Sequence, residues 1–170
     1  MAVIEGDSIS VPSEPTKMNE MTIKVCHEDF DVSDELQRLN QANKKVGAIA
    51  SFIGLVRDFG DATDVEAMEL EHYPGMTENA LRGIAEEACR RWDIAGVTVI
   101  HRVGRLKPAD QIVLVCCASA HRRAAFSACE FIADYLKVRA PFWKKEITAK
   151  GAQWVAAKTS DEADLQRWKS

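Results

Sequence analysis

The stretch GVTVIHRVGRLKPADQIVLVCCASAHRRAAF, residues 96–126, decides most of the fold. It contains two β-branched runs of strand length, separated by a turn around Pro108. The second run passes directly into a helical pattern, which predicts a helix from His121 to Val138. This helix must end near Arg139, because Pro141 disfavours helical geometry at the residue before it.

Outward from this stretch, the same patterns predict further strands and helices. Alternating or β-branched runs predict strands at 21–26, 46–60, 64–73, 142–148 and 153–158. Glycines and slips in the alternation indicate a bulge in the second of these strands and a bulged or edge position for the third. A helix is expected at 32–43, with its N-cap at Ser33. The stretch 73–92 predicts a second helix, which follows a turn at Pro74 and Gly75 and has its N-cap at Thr77. A capping box from Thr159 to Glu162 indicates a short terminal helix.

These elements do not follow a regular βαβ order, and no repeat is visible. We therefore predict an α+β fold with an antiparallel or mixed sheet and two long helices, built as one domain over residues 21–170. The first twenty residues are polar, acidic and proline-bearing, and they lack the features of a secretory or transit signal. We expect them to form a disordered extension of a cytoplasmic protein.

Length and charge exclude two classes of function. The chain has 170 residues and a formal net charge of −4, which argues against nonspecific binding to nucleic acid. No apolar run approaches the roughly 20 residues that a membrane-spanning helix needs. We expect a single hydrophobic core and no membrane association.

Five cysteines raise the question of a metal or redox site. Their number is odd, no pair has C-x-x-C spacing, and no histidine lies at a spacing suited to zinc. Cys116 and Cys117 lie in a β-branched run, where neighbouring side chains point to opposite faces of a sheet. We interpret them as small buried apolar residues and predict no metal and no cofactor. A redox or persulfide role remains the alternative.

Two groups of cations indicate an anionic ligand. His121 and Arg122 begin the helix that follows the second strand, where backbone N–H groups attract anions. Cationic side chains oppose the helix dipole at that end, so their placement favours a bound negative group over a solvated surface. Arg57 ends an apolar strand, and it fits a surface position equally well.

Three lysines and a carboxylate follow at the other end of the helix. Lys137 lies in the last helical turn, where a lysine also suits the dipole without any function. Lys144 and Lys145 are neighbours on a strand and must face opposite ways, whereas Glu146 shares a face with Lys144. A lysine among other cations can act as an acid, base or nucleophile near neutral pH.

Four motifs together resemble the large, catalytic subunit family of molybdopterin synthase. They are LEHYPGMTE, RWDIAGVTVIHRVG, SAHR and DYLKVRAPFWKKE, and the likeness runs from about Thr22 to Trp168. The resemblance implies an α/β-hammerhead fold and an enzyme of molybdenum cofactor biosynthesis. Such an enzyme converts cyclic pyranopterin monophosphate (precursor Z) to molybdopterin by inserting two sulfur atoms as a dithiolene.

The resemblance also implies partners. Sulfur arrives as a thiocarboxylate at the C-terminal Gly-Gly of a small ubiquitin-like subunit, whose tail enters the large subunit. Two large subunits form a central homodimer, and one small subunit at each end completes a heterotetramer.

The family's functional residues fall on positions of this chain. Lys137 takes the place of the essential lysine and Lys144 that of a second important one. At Leu55 the chain departs from a relative that carries lysine. The substrate-binding positions implied by the resemblance are Phe52, Leu55, Val56, Arg57, His121, Arg122, Lys137, Lys144, Lys145 and Glu146.

The length of the helix bears on how these residues meet. Arg122 and Lys137 are fifteen residues apart, about 22 Å at roughly 1.5 Å per residue. One chain is therefore unlikely to place both around a single pterin. We predict a composite site with Arg57, Lys137 and Lys144 from one protomer and His121 and Arg122 from its partner. Two rival hypotheses are a non-catalytic phosphopterin-binding module and a cysteine-based sulfurtransferase.

Overall fold

Two four-stranded sheets and three helices make up the computed structural model, which describes residues 20–57, 65–155 and 163–169. The strands in chain order are β1 (Glu20–Cys26), β2 (Ala48–Leu55), β3 (Val65–His72), β4 (Gly96–Arg102), β5 (Gly104–Leu106), β6 (Gln111–Ser119), β7 (Phe142–Thr148) and β8 (Gly151–Val155). The helices are α1 (Val32–Ala42), α2 (Met76–Arg91) and α3 (Arg122–Arg139), and a 3-10 turn covers Leu165–Trp168.

The first sheet has the order β1-β4-β6-β2, and the second has the order β5-β3-β7-β8. Among the strands of the described residues, only the β1–β4 pair is parallel; the other pairs are antiparallel. The predicted α+β class, with mixed and antiparallel sheets and two long helices, is confirmed. No helix in the described part of the chain is long and apolar enough to cross a membrane.

Alternation along the strands of the first sheet builds a core on each of its faces. Val97, Val99 and Cys117 pack with residues of α2 and α3, whereas Ile100 and Cys116 pack on the other face with residues of α1. Because β4 and β6 lie in the middle of the sheet, both of their faces are covered, and this explains their nearly continuous apolar sequence.

Several local predictions need correction. Asp31, not Ser33, caps α1, because its side chain accepts a hydrogen bond from the Asp34 backbone N–H. Helix α2 begins at Met76 after Gly75, one residue before the predicted cap. Thr77 is instead fully buried, and its hydroxyl bridges the Tyr73 N–H and the Pro141 carbonyl.

Other boundaries also differ from the predictions. The bulges in β2 and β3 are confirmed, but β3 lies between β5 and β7 and so is no edge strand. Glu20 pairs with Gly96 at the start of β1, although it was assigned to the N-terminal extension. The rest of that extension and the capping box at 159–162 lie outside the described residues.

The direction of helix α3 determines which of its ends lies at which end of the first sheet. It follows β6 after a short turn and packs along β6 and β2, so it runs back antiparallel to β6. Its start therefore lies at the end of the sheet where Ala48 pairs with Ser119. Its last turn lies at the opposite end, where Leu55 pairs with Gln111.

Candidate active site

Lys144 and Glu146 lie side by side on one face of β7. Lys144 is paired with Leu70 and Glu146 with Met68 across the β3–β7 ladder, and residues opposite each other share a face. Lys144 Nζ lies 3.9 Å from a carboxylate oxygen of Glu146. We call this surface, with Met68, Leu70, Lys144 and Glu146, the inner face of the second sheet.

Packing on the inner face positions the end of β2, and with it Arg57. Met68 and Leu70 form a buried cluster with Val56, Leu106 and Ile112. Since Val56 is in this cluster and Arg57 follows it, the cationic end of β2 lies beside the strand pair that carries Lys144. Arg57 therefore follows a residue that packs against Leu70, the partner of Lys144 on β7, and its role beside Lys144 and Glu146 stays a prediction.

Val56 anchors this region and does not present itself to a ligand. Its side chain is 2% exposed. Its N–H donates to the Asp110 carbonyl at 2.9 Å, and its carbonyl accepts from the Ala109 N–H at 2.8 Å. Val56 is one of the predicted substrate-binding positions, and its role towards substrate stays a prediction. Val56 instead fixes the position of Arg57.

Lys145 faces away from Lys144, as the alternation predicted. It is paired with Glu69 and with Trp154, and its Nζ lies 4.7 Å from the centroid of the Trp154 ring. The structure therefore places Lys145 on the opposite face of β7 from Lys144 and Glu146. We call its side of the sheet, with Glu71, Trp143, Lys145 and Trp154, the outer face.

Lys137 is exposed in the last turn of α3. It lies at the same end of the first sheet as Arg57, and only four residues separate it from the start of β7. Within one chain its side chain does not enter an enclosed pocket with Lys144. Lys137 and Arg57 therefore lie at the same end of the first sheet, and the grouping of both with Lys144 in one site stays a prediction.

His121 and Arg122 lie at the opposite end of α3, and both are exposed. His121 is the N-cap residue, and its N–H donates to the Ser119 hydroxyl at 3.2 Å. That hydroxyl donates in turn to the Asp93 carbonyl at 2.7 Å, which fixes the turn between β6 and α3. The first turn of α3 contains no acidic residue, so this helix start carries unopposed positive charge.

Phe52 and Leu55 are exposed on β2, the outermost described strand of the first sheet. They share this exposure with Ile53, and the exposed fractions run from 38% to 51%. Phe126 on α3 is also apolar, and it is 65% exposed. Phe52 and Ile53 are neighbours on the strand, so they point to opposite faces of the sheet.

Cys116 and Cys117 are buried, as predicted. Cys116 and Cys117 are both 0% exposed and lie on opposite faces of the first sheet. Burial raises the pKa of the Cys116 thiol to about 12. A side-chain hydrogen bond with Cys129, together with burial, raises the pKa of Cys117 well above its ordinary value. Neither thiol forms the thiolate that sulfur transfer requires.

Within the described ranges, no group of three or more His, Cys, Asp or Glu side chains could hold a metal ion.

Two features of this region were not predicted as functional. The His101 ring stacks on Phe142 with the centroids 3.8 Å apart, which ties the end of β4 to the start of β7. Burial lowers the pKa of the His101 imidazole to about 4, so the ring is neutral near pH 7.

Tyr73, Trp143 and Trp154 form the second feature, an exposed aromatic group on the outer face. The spacing of Trp143 and Lys145 on β7 was the signal that could have revealed it.

Comparison with known proteins gives a consistent result. The MoaE protein family matches residues 25–139. The chain is 58% identical over 147 residues to a Ralstonia nicotianae protein named molybdopterin synthase catalytic subunit, covering 86% of this chain and 84% of that protein.

Two solved structures agree. The molybdopterin biosynthesis MoaE protein of Burkholderia ambifaria is 54% identical, with a TM-score of 0.77 over 88% of this chain and 99% of that one. The molybdopterin synthase structure from Staphylococcus aureus is 30% identical, with a TM-score of 0.74 over 79% of this chain and 96% of that one. The chain therefore belongs to the MoaE family, the catalytic subunits of molybdopterin synthase.

Proposed function

We propose that this chain transfers sulfur from the C-terminal thiocarboxylate of a small ubiquitin-like subunit to cyclic pyranopterin monophosphate, forming the dithiolene of molybdopterin. One observation supports this above others. In a member of a family of catalytic subunits, Lys144 lies beside Glu146 on the inner face, in the region that also holds Arg57. The name of its Ralstonia relative, a catalytic subunit, also implies a further subunit.

The charges suit both reactants. The substrate carries a cyclic phosphate, and the donor tail becomes a carboxylate once its sulfur has left. Arg57 and Lys144 bind and orient these anions, since arginine can contact a phosphate or carboxylate through two parallel hydrogen bonds. Lys137 transfers protons, or briefly holds the substrate covalently, as the thiocarboxylate sulfur attacks the pterin side chain.

A homodimer supplies the remaining cations. Strand β2 is outermost in its sheet and carries exposed Phe52, Ile53 and Leu55, a combination that favours pairing with another strand. If two β2 strands pair antiparallel about a two-fold axis, the Ala48 end of one lies beside the Leu55 end of the other.

The consequence for the site follows from the direction of α3. The start of α3 lies at the Ala48 end of the first sheet, and its last turn lies at the Leu55 end. Pairing through β2 would therefore bring His121 and Arg122 of one protomer towards Arg57 and Lys137 of the other. It would also cover the exposed ring of Phe126. The composite site predicted from helix length thus gains a specific interface.

The two rival functions fit less well. A cysteine-based sulfurtransferase needs a reactive thiolate, but burial raises the pKa of Cys116 to about 12. A phosphopterin-binding module would use the same cations without any chemical step. It would not need the Lys144–Glu146 pair, because a lone lysine already neutralises a phosphate. We place the activity in the cytoplasm, where both reactants would be made.

The direct test supplies precursor Z and the thiocarboxylated small subunit and measures dithiolene formation. We expect wild type to form product and Lys144→Ala to lose at least about 100-fold in kcat, in line with loss of a group that orients the reactants. Arg90→Ala, an exposed change on α2, is the control and should retain turnover. Binding of precursor Z without any product from wild type would support the binding-module alternative.

A further inference from the structure

A groove of about 480 Å³ runs between helices α2 and α3. Arg91, near the end of α2, lies over the Phe131 ring. Thr77, near the start of α2, donates a hydrogen bond to the Pro141 carbonyl just beyond the end of α3, so the two helices are antiparallel. The groove is lined on α2 by Gly83, Glu87 and Arg91, among others, and on α3 by Phe131, Tyr135 and Arg139.

Each end of the groove presents an arginine stacked on an aromatic ring. The guanidinium carbon of Arg91 lies 4.9 Å from the centroid of Phe131. That of Arg139 lies 5.2 Å from the centroid of Tyr135. The two rings are in contact, with their centroids 4.4 Å apart. Stacking limits the motion of a long side chain, so both cations are held in place before a ligand binds.

The groove carries positive charge in an acidic chain. Glu87 accepts hydrogen bonds from Arg90 at 2.6 Å and from Arg91 at 2.8 Å. Three arginines and one glutamate line the groove, so its net charge is +2. The whole chain has a net charge of −4, and this local excess therefore favours an anionic ligand. Glu87 bonds to the arginines at one end of the groove and does not offset the charge of Arg139 at the other.

Gly83 keeps the middle of the groove open. A glycine inside a helix costs stability relative to alanine. A Cβ atom at this position would meet no atom within 4 Å, so packing among the described residues does not require glycine here. Because Gly83 lines the groove, a larger side chain would reduce its volume. The glycine therefore points to an occupant that approaches the backbone of α2.

The size of the groove favours a small molecule over a protein. Sites for small ligands have volumes of about 300–1,000 Å³. A standard protein interface covers about 800 Å² on each partner and has an apolar centre. The large apolar side chains that are exposed in the described residues all lie outside the groove. A second copy of the chain would therefore find little apolar surface to bury there.

The lining indicates the chemical class of the ligand. A guanidinium group binds a phosphate through two parallel hydrogen bonds, and its plane also stacks on heteroaromatic rings. An ionised carboxylate offers about four acceptor sites. Arg90 and Arg91 use three of these on Glu87, and the site that remains suits an amino group on a ring.

We propose that the groove between α2 and α3 binds a phosphorylated, amino-substituted heteroaromatic molecule of nucleotide size. Its phosphate contacts Arg139, and its ring lies at the other end, against Arg91 and the Glu87 carboxylate. Gly83 leaves room for the atoms between them. Two sources share this chemistry, which are guanine nucleotides and pterin phosphates.

The groove is separate from the proposed active site. Lys137 is two residues from both Tyr135 and Arg139, so it projects from α3 about 200° away from them. Lys144 and Glu146 are on β7 and do not line the groove. Binding in the groove is therefore independent of the sulfur-transfer reaction, and it can be measured without the small subunit.

Isothermal titration calorimetry with GMP and with precursor Z tests the site. We expect wild type to bind at least one of them in the groove with Kd below about 1 mM. Gly83→Leu should abolish this binding, because the leucine fills the groove. Arg139→Ala should raise Kd at least about 10-fold, as for loss of a charge-assisted hydrogen bond.

Two variants serve as controls. Arg82→Ala removes an arginine that is next to Gly83 but contacts Met21 on β1, and it should bind as wild type. Lys144→Ala removes a cation of the proposed active site and should keep the binding that depends on Gly83. Leucine favours a helix more than glycine does, so Gly83→Leu should fold, and circular dichroism checks this.

The outcomes separate the sources and the alternatives. Binding of GMP that depends on Gly83 supports a nucleotide, and such binding of precursor Z supports a pterin phosphate. Inorganic phosphate that binds as tightly as either would show that the ring contributes nothing and would overturn the proposal. Binding lost in Lys144→Ala but not in Gly83→Leu would overturn it too. Self-association of wild type that Gly83→Leu abolishes would assign the groove to a second copy of the chain instead.

Photolabelling provides a readout that needs no variant. Wild type irradiated with 8-azido-GMP and digested should carry the label on peptides from α2 or α3 that line the groove, and excess GMP or precursor Z should remove it. A label confined to β2 or β7 would contradict the proposal. A failure to form dithiolene would leave these results unchanged, so the site and the proposed reaction are tested separately.

Discussion

Lys144 Nζ and a carboxylate oxygen of Glu146 lie 3.9 Å apart on the inner face of β7. Both side chains are partly buried, with exposed fractions of 32% and 24%. Glu146 is therefore close enough to hold the ammonium group in position without taking it out of contact with a substrate. We assign Glu146 as a positioning residue that acts through Lys144.

Glu146→Gln tests this assignment. The amide keeps the size of the side chain but loses its charge, so Lys144 is held less firmly. We expect kcat to fall about 10-fold, equivalent to about 1.4 kcal/mol of transition-state stabilisation, with a smaller change in KM for precursor Z. Steady-state kinetics of dithiolene formation provide the measurement. Glu86→Gln on α2 is the matched control, and Glu146→Asp should recover part of the loss.

A double variant, Cys116→Ala with Cys117→Ala, should retain turnover. Both thiols are 0% exposed, and the pKa of each is raised, so neither is a thiolate near neutral pH. Two buried sulfur atoms are lost, and we expect the free energy of unfolding to fall by about 1–2 kcal/mol. Activity per folded protein and denaturant unfolding check this. Loss of turnover in a folded variant would favour the cysteine-based alternative.

Asp134 fastens the C-terminal turn to α3. Its carboxylate accepts hydrogen bonds from the Trp168 indole N–H at 2.8 Å and from the Arg167 guanidinium. The Trp168 ring in turn packs on Phe131 and Trp92. Asp134→Ala should therefore lower the free energy of unfolding by about 1–3 kcal/mol. Thermal unfolding measures the loss, and a variant that unfolds at the wild-type temperature would contradict this role for Asp134.

His101 predicts a specific dependence of stability on pH. The pKa of its imidazole is about 4 because of burial, below its value of about 6.5 in an unfolded chain. The contribution of the neutral His101 side chain to the free energy of unfolding is complete above pH 6.5. As pH falls towards 4, the unfolded chain binds a proton that the folded chain does not, so the free energy of unfolding decreases. The decrease is at most about 3 kcal/mol, since the side chain retains some solvent contact.

His101→Phe separates this effect from other titrations. A phenyl ring can still stack on Phe142 but carries no proton. Urea unfolding from pH 4 to pH 7 should show a smaller loss of stability for the variant than for wild type over this interval. Parallel curves for the two proteins would contradict the assignment.

Much of the fold could be predicted because sequence patterns and burial agree. The β-branched runs of β4 and β6 have both faces covered, and Pro141 ends α3 close to where it was expected. The cap of α1 was missed because Asp31 and Ser33 both suit an N-cap, and sequence alone does not separate neighbours of equal propensity.

Phe126 shows a different limit. It follows buried Ala125, so it is rotated by about 100° from the stripe that faces the sheet. The sequence alone indicates a core position for an apolar side chain such as Phe126, whereas in the structure this side chain is exposed. Sequence periodicity does not tell a core position from a surface reserved for a partner.

The candidate site could be predicted in its parts but not in its assembly. Alternation along β7 was enough to place Lys144 with Glu146 and apart from Lys145. The position of Arg57 relative to β7 depends on packing between Val56 and Leu70, two residues from different strands. The aromatic outer face depends on the register of β7 with β8, which no local pattern specifies.

The composite site is tested most directly by a heterodimer of two inactive chains. Lys137→Ala and Arg122→Ala protomers with different affinity tags are coexpressed, and the mixed dimer is purified through both tags. One of its two sites then has both wild-type residues, so we predict about half of the wild-type turnover per dimer, while each mutant homodimer remains inactive. A mixed dimer that is stable but as inactive as the homodimers would contradict a site shared between two protomers.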